Sequence, residues 1–469
     1  MSEADGIDFD LLESRILDST GAAPELAWYA AFSGGIDSTV LLHLLDRIAR
    51  NAGLRLVALH ADHGLNPGSG AWRRHCEQQC KEWHIEFRST KLILATDTGL
   101  GPEGGAREAR YRWFREIVGG THWLFTAHHR GDQAETVIER LARGSGPRGL
   151  GGMRPASRVY GVNVARPLLD LSRDWIEAYA ASHGLHWVDD DSNRDSRITR
   201  NHVRWRVLPE LKRRWPEMEA TLARTAGVMQ ETQAVLDDVA EEDLGMLDER
   251  AVGGESSVRV QALLALSARR QRNVLRYWIR RELGVSMGLA RLNHAVGELA
   301  RYPRKVGGLC WPPVELRTYR DRLYLASLET PRRTRWSWTL DGELVMEGGL
   351  VLTPRKVTGR GLKAGVLPAS VTVQFRRGGE SCRLPGRGHR HALKKLLQEA
   401  GIPPWQRPRI PLITVNGEVA AVVGVTCCAP YCAGPGDNGI EIEVRRAPPG
   451  RSGDGDAAAP GPGSPPGPG

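Results

Sequence analysis

The chain has 469 residues, 41% of them hydrophobic and 25% charged, the make-up of an ordinary globular protein with room for two or three domains. No apolar run approaches bilayer-crossing length and residues 1–10 lack the apolar core of an export signal, so no membrane partner and a cytoplasmic location are expected. Lys plus Arg outnumber Asp plus Glu by 64 to 55, a formal net charge of +9 that favours a polyanionic partner without proving one.

Residues 1–25 read as an N-terminal extension. Residues 26–32 then make an apolar run too short for anything but a strand. It breaks at Ser33, Gly34 and Gly35, after which Val40, Leu41, Leu44, Leu45 and Ile48 recur at helical spacing. Strand, tight loop and helix in that order suit a phosphate. The glycines let backbone approach an anion, Ser33, Ser38 and Thr39 offer hydroxyls, and the helix start at Ile36 presents unpaired N–H groups. Asp37 makes sense beside a polyphosphate chiefly if it holds a cation or contacts a reacting group. An ordinary strand-to-helix turn, with Asp37 as a cap, stays open as the alternative.

A second strand is expected over 55–62, ending in His60 and Asp62, then a helix over 69–83, a third strand over 85–92, and a helix over 104–118 carrying Arg107 and Arg110. A fourth strand over 123–127 runs into His128 and His129, followed by a helix from about 132. Strands alternating with helices imply a parallel sheet covered on both faces, with ligands beyond the strands' carboxyl ends. Ser33, His60, Asp62 and His128 all fall at that edge. The glycine-rich residues 143–152 read as a mobile loop, either a clamp on an anion or a plain connection. A short strand over 165–169 and a helix over 172–183 ended by Gly184 follow. The acidic residues 189–191 precede a basic stretch with Arg197, Arg200, Arg204 and Arg206, a charge-paired linker or a substrate-facing surface.

From 216 to 301 the pattern is helical, with runs over 218–247, 260–283 and 289–299, and short strands over 311–356 close this middle domain. A small C-terminal domain over 371–446 is the most basic part and includes Arg377, Lys394 and Lys395. Residues 447–469 are Pro- and Gly-rich and read as a disordered tail. Seven cysteines in a chain without an export signal argue against a disulfide framework, and Cys76, Cys80, Cys427, Cys428 and Cys432 read as buried or incidental thiols.

Ser33-Gly34-Gly35-Ile36-Asp37-Ser38 resembles the pyrophosphate loop of the N-type ATP pyrophosphatases. Residues 60–65, Ala106-Arg107-Glu108-Ala109-Arg110-Tyr111, Thr126-Ala127-His128-His129, Asp132-Gln133-Ala134-Glu135-Thr136, residues 143–146, Asp191 with Asn193, Arg200-Asn201 and Arg204 narrow the likeness. In that order they resemble the tRNA(Ile)-lysidine synthetase family, as do residues 376–380, 394–397 and 402–407 near the C-terminus. The likeness covers roughly 26–209 and 375–425. It implies an α/β fold: a Rossmann-like, parallel-sheet PP-loop catalytic domain over 26–212, a mainly helical middle domain over 216–356 and a small α+β C-terminal domain. It also implies the reaction. ATP adenylates the C2 oxygen of the wobble cytidine in the CAU anticodon of an isoleucine tRNA, and the amine of free L-lysine displaces AMP to leave lysidine.

On that reading the loop from Ser33 to Thr39 holds pyrophosphate, with Asp37 binding Mg²⁺. Arg107 and Arg110, three residues apart on a helix, suit the α-phosphate. Asp132 and Glu135 share a face by the same spacing and suit recognition of a lysine ammonium or removal of its proton, and His128 suits a nucleotide contact or proton transfer. Arg110, Arg200, Arg204, Arg377, Lys394 and Lys395 are candidate tRNA contacts. Surface ion pairing for the arginines, a helix-start charge for Glu135 and a satisfied strand-end role for His128 stay open as structural alternatives. The family's usual pair of aspartates is here Gly131-Asp132, which leaves the helix cap or a supporting hydrogen bond in question. A tRNA thiolase on the same fold needs a reactive cysteine pair, and the catalytic region offers only Cys76 and Cys80. A non-catalytic RNA-binding protein leaves Asp37, Asp132 and Glu135 without a purpose. A homodimer stays an open candidate among the partners.

Overall fold

The computed structural model describes residues 9–20, 27–62, 69–92, 101–188, 199–252, 255–302, 308–312, 314–327, 335–346 and 350–446. The expected tail over 447–469 and the acidic residues 189–191 lie outside them. The described residues form two compact units that divide between Val235 and Leu236, within the helix Met218–Met246.

The first unit is built on a six-stranded sheet. Its strands are β1 (Trp28–Ala31), β2 (Leu56–Asp62), β3 (Glu86–Lys91), β4 (Trp123–Phe125), β5 (Ala156–Val159) and β6 (Val162–Ala165), in the order β3-β2-β1-β4-β6-β5. All neighbours are parallel except β5, which runs antiparallel to β6. The side-chain period of two assigns each face. Trp28, Ala30, Leu56 and Ala58 pack against Val40, Leu41, Leu44, Leu45 and Ile48 of α2 (Ile36–Ala52). Tyr29, Val57 and Leu59 pack on the other side against Tyr111, Phe114 and Val118 of α4 (Gly101–Val118). The α/β class and parallel sheet are as expected. β1 is the switch point: the chain leaves it for β2 on one side while β4 lies on the other, so the loops after β1 and β4 flank one crevice.

Several local expectations differ from what is observed. Within the expected N-terminal extension, Leu12 and Ile16 of α1 (Phe9–Thr20) sit one turn apart and are buried in the core beside Trp28. The strand expected over 165–169 is β6, which ends at Ala165 where Arg166 turns back to bond Pro155. The glycine-rich segment contains a short helix, Pro147–Leu150, with proline at its start. It is tied down by Gln133, whose side chain donates to Met153 O at 2.8 Å and accepts from Met153 N at 2.7 Å.

The second unit carries helices Val260–Ala265, Ala268–Leu283 and Leu289–Arg301. The long run expected over 260–283 is broken at Leu266 and Ser267, where the Ser267 hydroxyl accepts from Arg270 N. Trp278, Ile279 and Leu292 pack on Leu316 and Leu323 of a five-stranded antiparallel sheet formed by Arg250–Val252, Glu255–Arg259, Arg322–Ser327, Val314–Tyr319 and Leu309–Trp311. Later strands that were expected to close this region pair with C-terminal ones: Arg335–Trp338 with Val371–Phe375, and Leu350–Thr358 with Asn438–Arg446. Alternation marks a strand but does not name its partner.

Four cysteines correct the expectation of incidental thiols: Cys382 is disulfide-bonded to Cys428 and Cys427 to Cys432. Pairing of Ala421 with Cys427 and a hydrogen bond from Ala429 N to Arg383 O carry these residues together, a closeness that spacing alone does not reveal. Cys76 and Cys80 do remain buried thiols, on α3 (Ser69–Glu82). No helix among the described residues is long and apolar enough to cross a membrane.

Candidate active site

A cavity of about 990 Å³ opens at the carboxyl ends of the parallel strands. Ser33, Gly35, Ile36, Asp37 and Ser38 line it from the loop after β1, His60 and Asp62 from the end of β2, and His128, Asp132 and Glu135 from the far side of the switch point. Arg107 and Arg110 of α4 also line it. All four residues expected at the sheet edge therefore meet in one place.

The loop is held for an anion by its own chemistry. Gly34 adopts φ +88°, and a Cβ there would lie 2.8 Å from Cys76 Sγ, so only glycine fits. Gly35 caps α2 without a side-chain bond, and the Ser38 hydroxyl accepts from the backbone N of Ser33 and Gly34 at 3.2 Å each. These donors, together with the first turn of α2, are what a pyrophosphate would take over. Thr39 departs from its expected role: fully buried, it donates its hydroxyl to Gly35 O at 3.1 Å and stabilises the loop from beneath. Cys76 lies closer to the loop than its sequence position suggested. Burial pushes both Cys76 and Cys80 thiols up to about 12, so neither is a nucleophile near neutral pH.

Asp37 is engaged by a residue that the motif does not contain. Arg173, the first residue of α7 (Arg173–Ser182), donates Nη1 to Asp37 Oδ1 at 2.6 Å and Nε to Glu177 at 2.8 Å. The signal for Arg173 was its place: it follows the N-cap Ser172 just after β6, at the same sheet edge where Asp37 follows β1. The pair is partly solvated, with side chains 41% and 32% exposed.

Across the cavity lies a denser cluster on α5 (Arg130–Ala142). Asp132 Oδ1 accepts from Arg200 and Arg204 at 2.7 and 2.8 Å. Glu135 accepts from Arg200 Nε at 2.8 Å and from Arg204 Nε at 2.5 Å. The arginines lie four residues apart, one in the helical turn Thr199–His202 and the other in the π-helical turn Val203–Val207, so they point to one side as a pair. Both carboxylates are almost fully buried, at 10% and 3% side-chain exposure. Burial opposes ionisation of Asp132, but the fixed positive charges of Arg200 and Arg204 outweigh it and hold its carboxyl well below the usual range. His128 bonds the Thr126 hydroxyl at 2.9 Å. Burial, with Arg166, Arg200 and Arg107 nearby, pushes its pKa well down and keeps the ring neutral.

Gly131 leaves the helix start intact. His129 is the N-cap: its Nδ1 accepts from Gly131 N at 3.0 Å, while Asp132 Oδ2 accepts from His129 N at 2.9 Å. The imidazole lies over the glycine, where a Cβ would come within 2.8 Å of His129 Cε1. Trp72, Trp205, Lys212 and Glu219 also line the cavity and carried no sequence motif. Arg377, Lys394 and Lys395 are exposed residues of the second unit.

A lone carboxylate fits Mg²⁺, which usually takes one or two carboxylates plus phosphate oxygens and water. Asp37 provides that donor next to the loop, and no group of three or more His, Cys, Asp or Glu among the described residues makes a metal cage by itself.

Family models match three stretches: a PP-loop domain over residues 11–211, a TilS substrate binding domain over 259–324 and a TilS substrate C-terminal domain over 371–444. The chain is 38% identical over 422 residues to a tRNA(Ile)-lysidine synthase of Coxiella burnetii, covering 88% of this chain and 92% of the relative. It is equally 38% identical over 422 residues to the enzyme of that name from Serratia proteamaculans, covering 88% and 94%. Among solved structures, the U34-tRNA thiolase NcsA from Methanococcus maripaludis is similar over 47% of this chain and 79% of that one, at 16% identity and a TM-score of 0.40. With relatives this similar along almost their whole length, the chain belongs to the tRNA(Ile)-lysidine synthase family.

Proposed function

We propose that this enzyme uses ATP to join free L-lysine to C2 of the wobble cytidine in the CAU anticodon of an isoleucine tRNA, through an adenylated cytidine, releasing pyrophosphate and AMP. The observation that carries the reading is one cavity with a pyrophosphate loop on one wall and the buried acids Asp132 and Glu135 on the other. The loop N–H groups and the start of α2 receive the β- and γ-phosphates. Asp37 would hold Mg²⁺, which would supply neutralisation of charge on the leaving group. Arg107 and Arg110 meet the α-phosphate as the cytidine oxygen attacks it, and His128, uncharged, contacts the nucleotide without opposing these arginines.

In the second step the lysine amine attacks C2 and AMP leaves. Asp132 and Glu135 supply the negative charge that attracts the amino acid's ammonium. Arg200 and Arg204 pair with both acids and hold them in place, Arg204 at the cavity wall itself. A carboxyl held as low as that of Asp132 is a poor proton acceptor near neutrality, which favours recognition over proton abstraction at this residue. The exposed Arg377, Lys394 and Lys395 suit phosphate contacts to the tRNA body.

The test supplies purified protein with ATP, Mg²⁺, lysine and an isoleucine tRNA bearing a CAU anticodon, then digests the tRNA and weighs its nucleosides. Lysidine at the wobble position, with pyrophosphate release that needs both lysine and tRNA, is the expected result. A sulfur-containing nucleoside, or no product, would overturn the reading.

A further inference from the structure

The π-helical turn that presents Arg204 to the acids also holds a tryptophan at the mouth of the cavity. Trp205 lines the cavity yet is 52% exposed, although its large apolar surface would favour burial. Arg206 follows it on the same turn, and Lys212 of α9 (Leu208–Arg214), paired with Glu219 at 2.8 Å, lines the same cavity. A second exposed tryptophan, Trp215 at 55%, ends that helix. Aromatic faces interleaved with arginine and lysine are how proteins bind single-stranded RNA, the rings taking bases and the cations taking phosphates.

The chemistry of the site says which base needs such a platform. To bring C2 of the wobble cytidine to the loop and acids, that base must leave the anticodon stack and enter the cavity. Its departure uncovers the face of its 3′ neighbour, an adenine in a CAU anticodon, at the cavity mouth. Trp205 stands there.

Building on the proposed lysidine chemistry, we infer that Trp205 stacks on the adenine that follows the wobble cytidine, replacing the stacking partner lost when the cytidine enters the cavity, while Arg206 and Lys212 hold the adjoining phosphates. Trp205 is then a positioning residue for the anticodon loop. It acts on tRNA binding and leaves ATP and lysine recognition alone.

The test compares wild type, Trp205→Ala and Trp205→Phe on two full-length isoleucine tRNAs assembled from synthetic halves, one intact and one abasic at the nucleotide after the wobble cytidine. Base stacking on an aromatic side chain is worth about 1–3 kcal/mol, so Trp205→Ala should raise KM for intact tRNA about 5- to 150-fold. ATP binding without tRNA and kcat at saturating tRNA should stay within about threefold. The phenylalanine variant should recover most of the loss. The abasic tRNA should cost the wild type a similar factor and cost Trp205→Ala almost nothing more, because the two changes delete one contact. A KM for Trp205→Ala within twofold of wild type, or fully additive penalties, would overturn the inference. If wild type makes no lysidine on intact tRNA, the proposed function fails instead, and the two outcomes are distinct.

Discussion

Two arginine-carboxylate clusters face each other across the cavity, and they differ in burial. Asp37 and Arg173 are each about a third exposed or more, with one hydrogen bond between them. Asp132 and Glu135 are almost fully buried and share four ion pairs with Arg200 and Arg204. A solvated pair contributes about 0–1 kcal/mol, so a divalent cation or a phosphate can take Asp37 or Arg173 away at little cost. Breaking a buried pair by removing one partner costs about 3–5 kcal/mol, because a charge is left without compensation. The first cluster is therefore an exchangeable ligand site, and the second is both the proposed recognition site and part of the frame that positions Arg200 and Arg204.

The largest effect should come from Glu135→Gln. It leaves two arginines against one carboxylate, and the expected loss is about 3–5 kcal/mol in urea unfolding, together with at least a hundredfold loss of lysidine formation. Unchanged unfolding would show that the buried cluster is no frame. Asp37→Asn is the counterpart. Its unfolding free energy should stay within about 1 kcal/mol of wild type, while lysidine formation falls about a hundredfold or more and excess Mg²⁺ restores little of it. If that variant unfolds as easily as Glu135→Gln, the contrast between the clusters collapses.

Much of this contrast was legible in the sequence. The alternation of strands and helices placed Ser33, His60, Asp62 and His128 at one sheet edge because side-chain period and crossover direction are local properties of the chain. Asp132 and Glu135 shared a helix face by spacing alone. Arg173 escaped because its partner Asp37 lies 136 residues away in sequence, and although its place after β6 puts it at the same sheet edge, nothing at Ser172-Arg173-Asp174 says which residue it meets there. Trp205 escaped for another reason: an isolated tryptophan in a basic stretch reads as core, and only exposure reveals otherwise. The disulfides were missed because cysteine pairing depends on strand partners, and the partners of residues 335–358 were themselves misread.

A smaller effect tests how burial keeps His128, beside the acid cluster, neutral. His128 has a folded pKa pushed well below its ordinary value by burial, so the unfolded chain takes up a proton below about pH 6.5 that the folded chain does not. Its contribution is therefore intact above that pH and is lost as the pH falls toward the folded value, at up to about 1.4 kcal/mol per pH unit. Asp132 behaves as a depressed acid: its contribution is full above about pH 4 and is lost only below, as the pH falls toward its lowered value. The two windows do not coincide. Urea unfolding of His128→Gln between pH 5 and 6.5 should show a flatter slope than wild type, and an identical slope would mean that the imidazole is charged in the folded enzyme.

The smallest expected effect concerns Gly131, which precedes Asp132 at the start of α5. Restoring a side chain with Gly131→Asp should not improve the enzyme. His129 already caps the helix and Asp132 already completes the reciprocal bond, so a new carboxylate has no vacant backbone donor to satisfy. Its Cβ would also meet the His129 ring at 2.8 Å and force it to rotate, at the expense of a cap worth about 1 kcal/mol. The imidazole is flexible enough to move, which limits the loss to about that figure. Its movement would disturb the Asp132 carboxylate, which accepts from the His129 backbone N, so KM for lysine should rise a few fold while KM for ATP holds. Equal changes in both constants would mean that the cap supports the whole cavity wall and not the acid cluster alone.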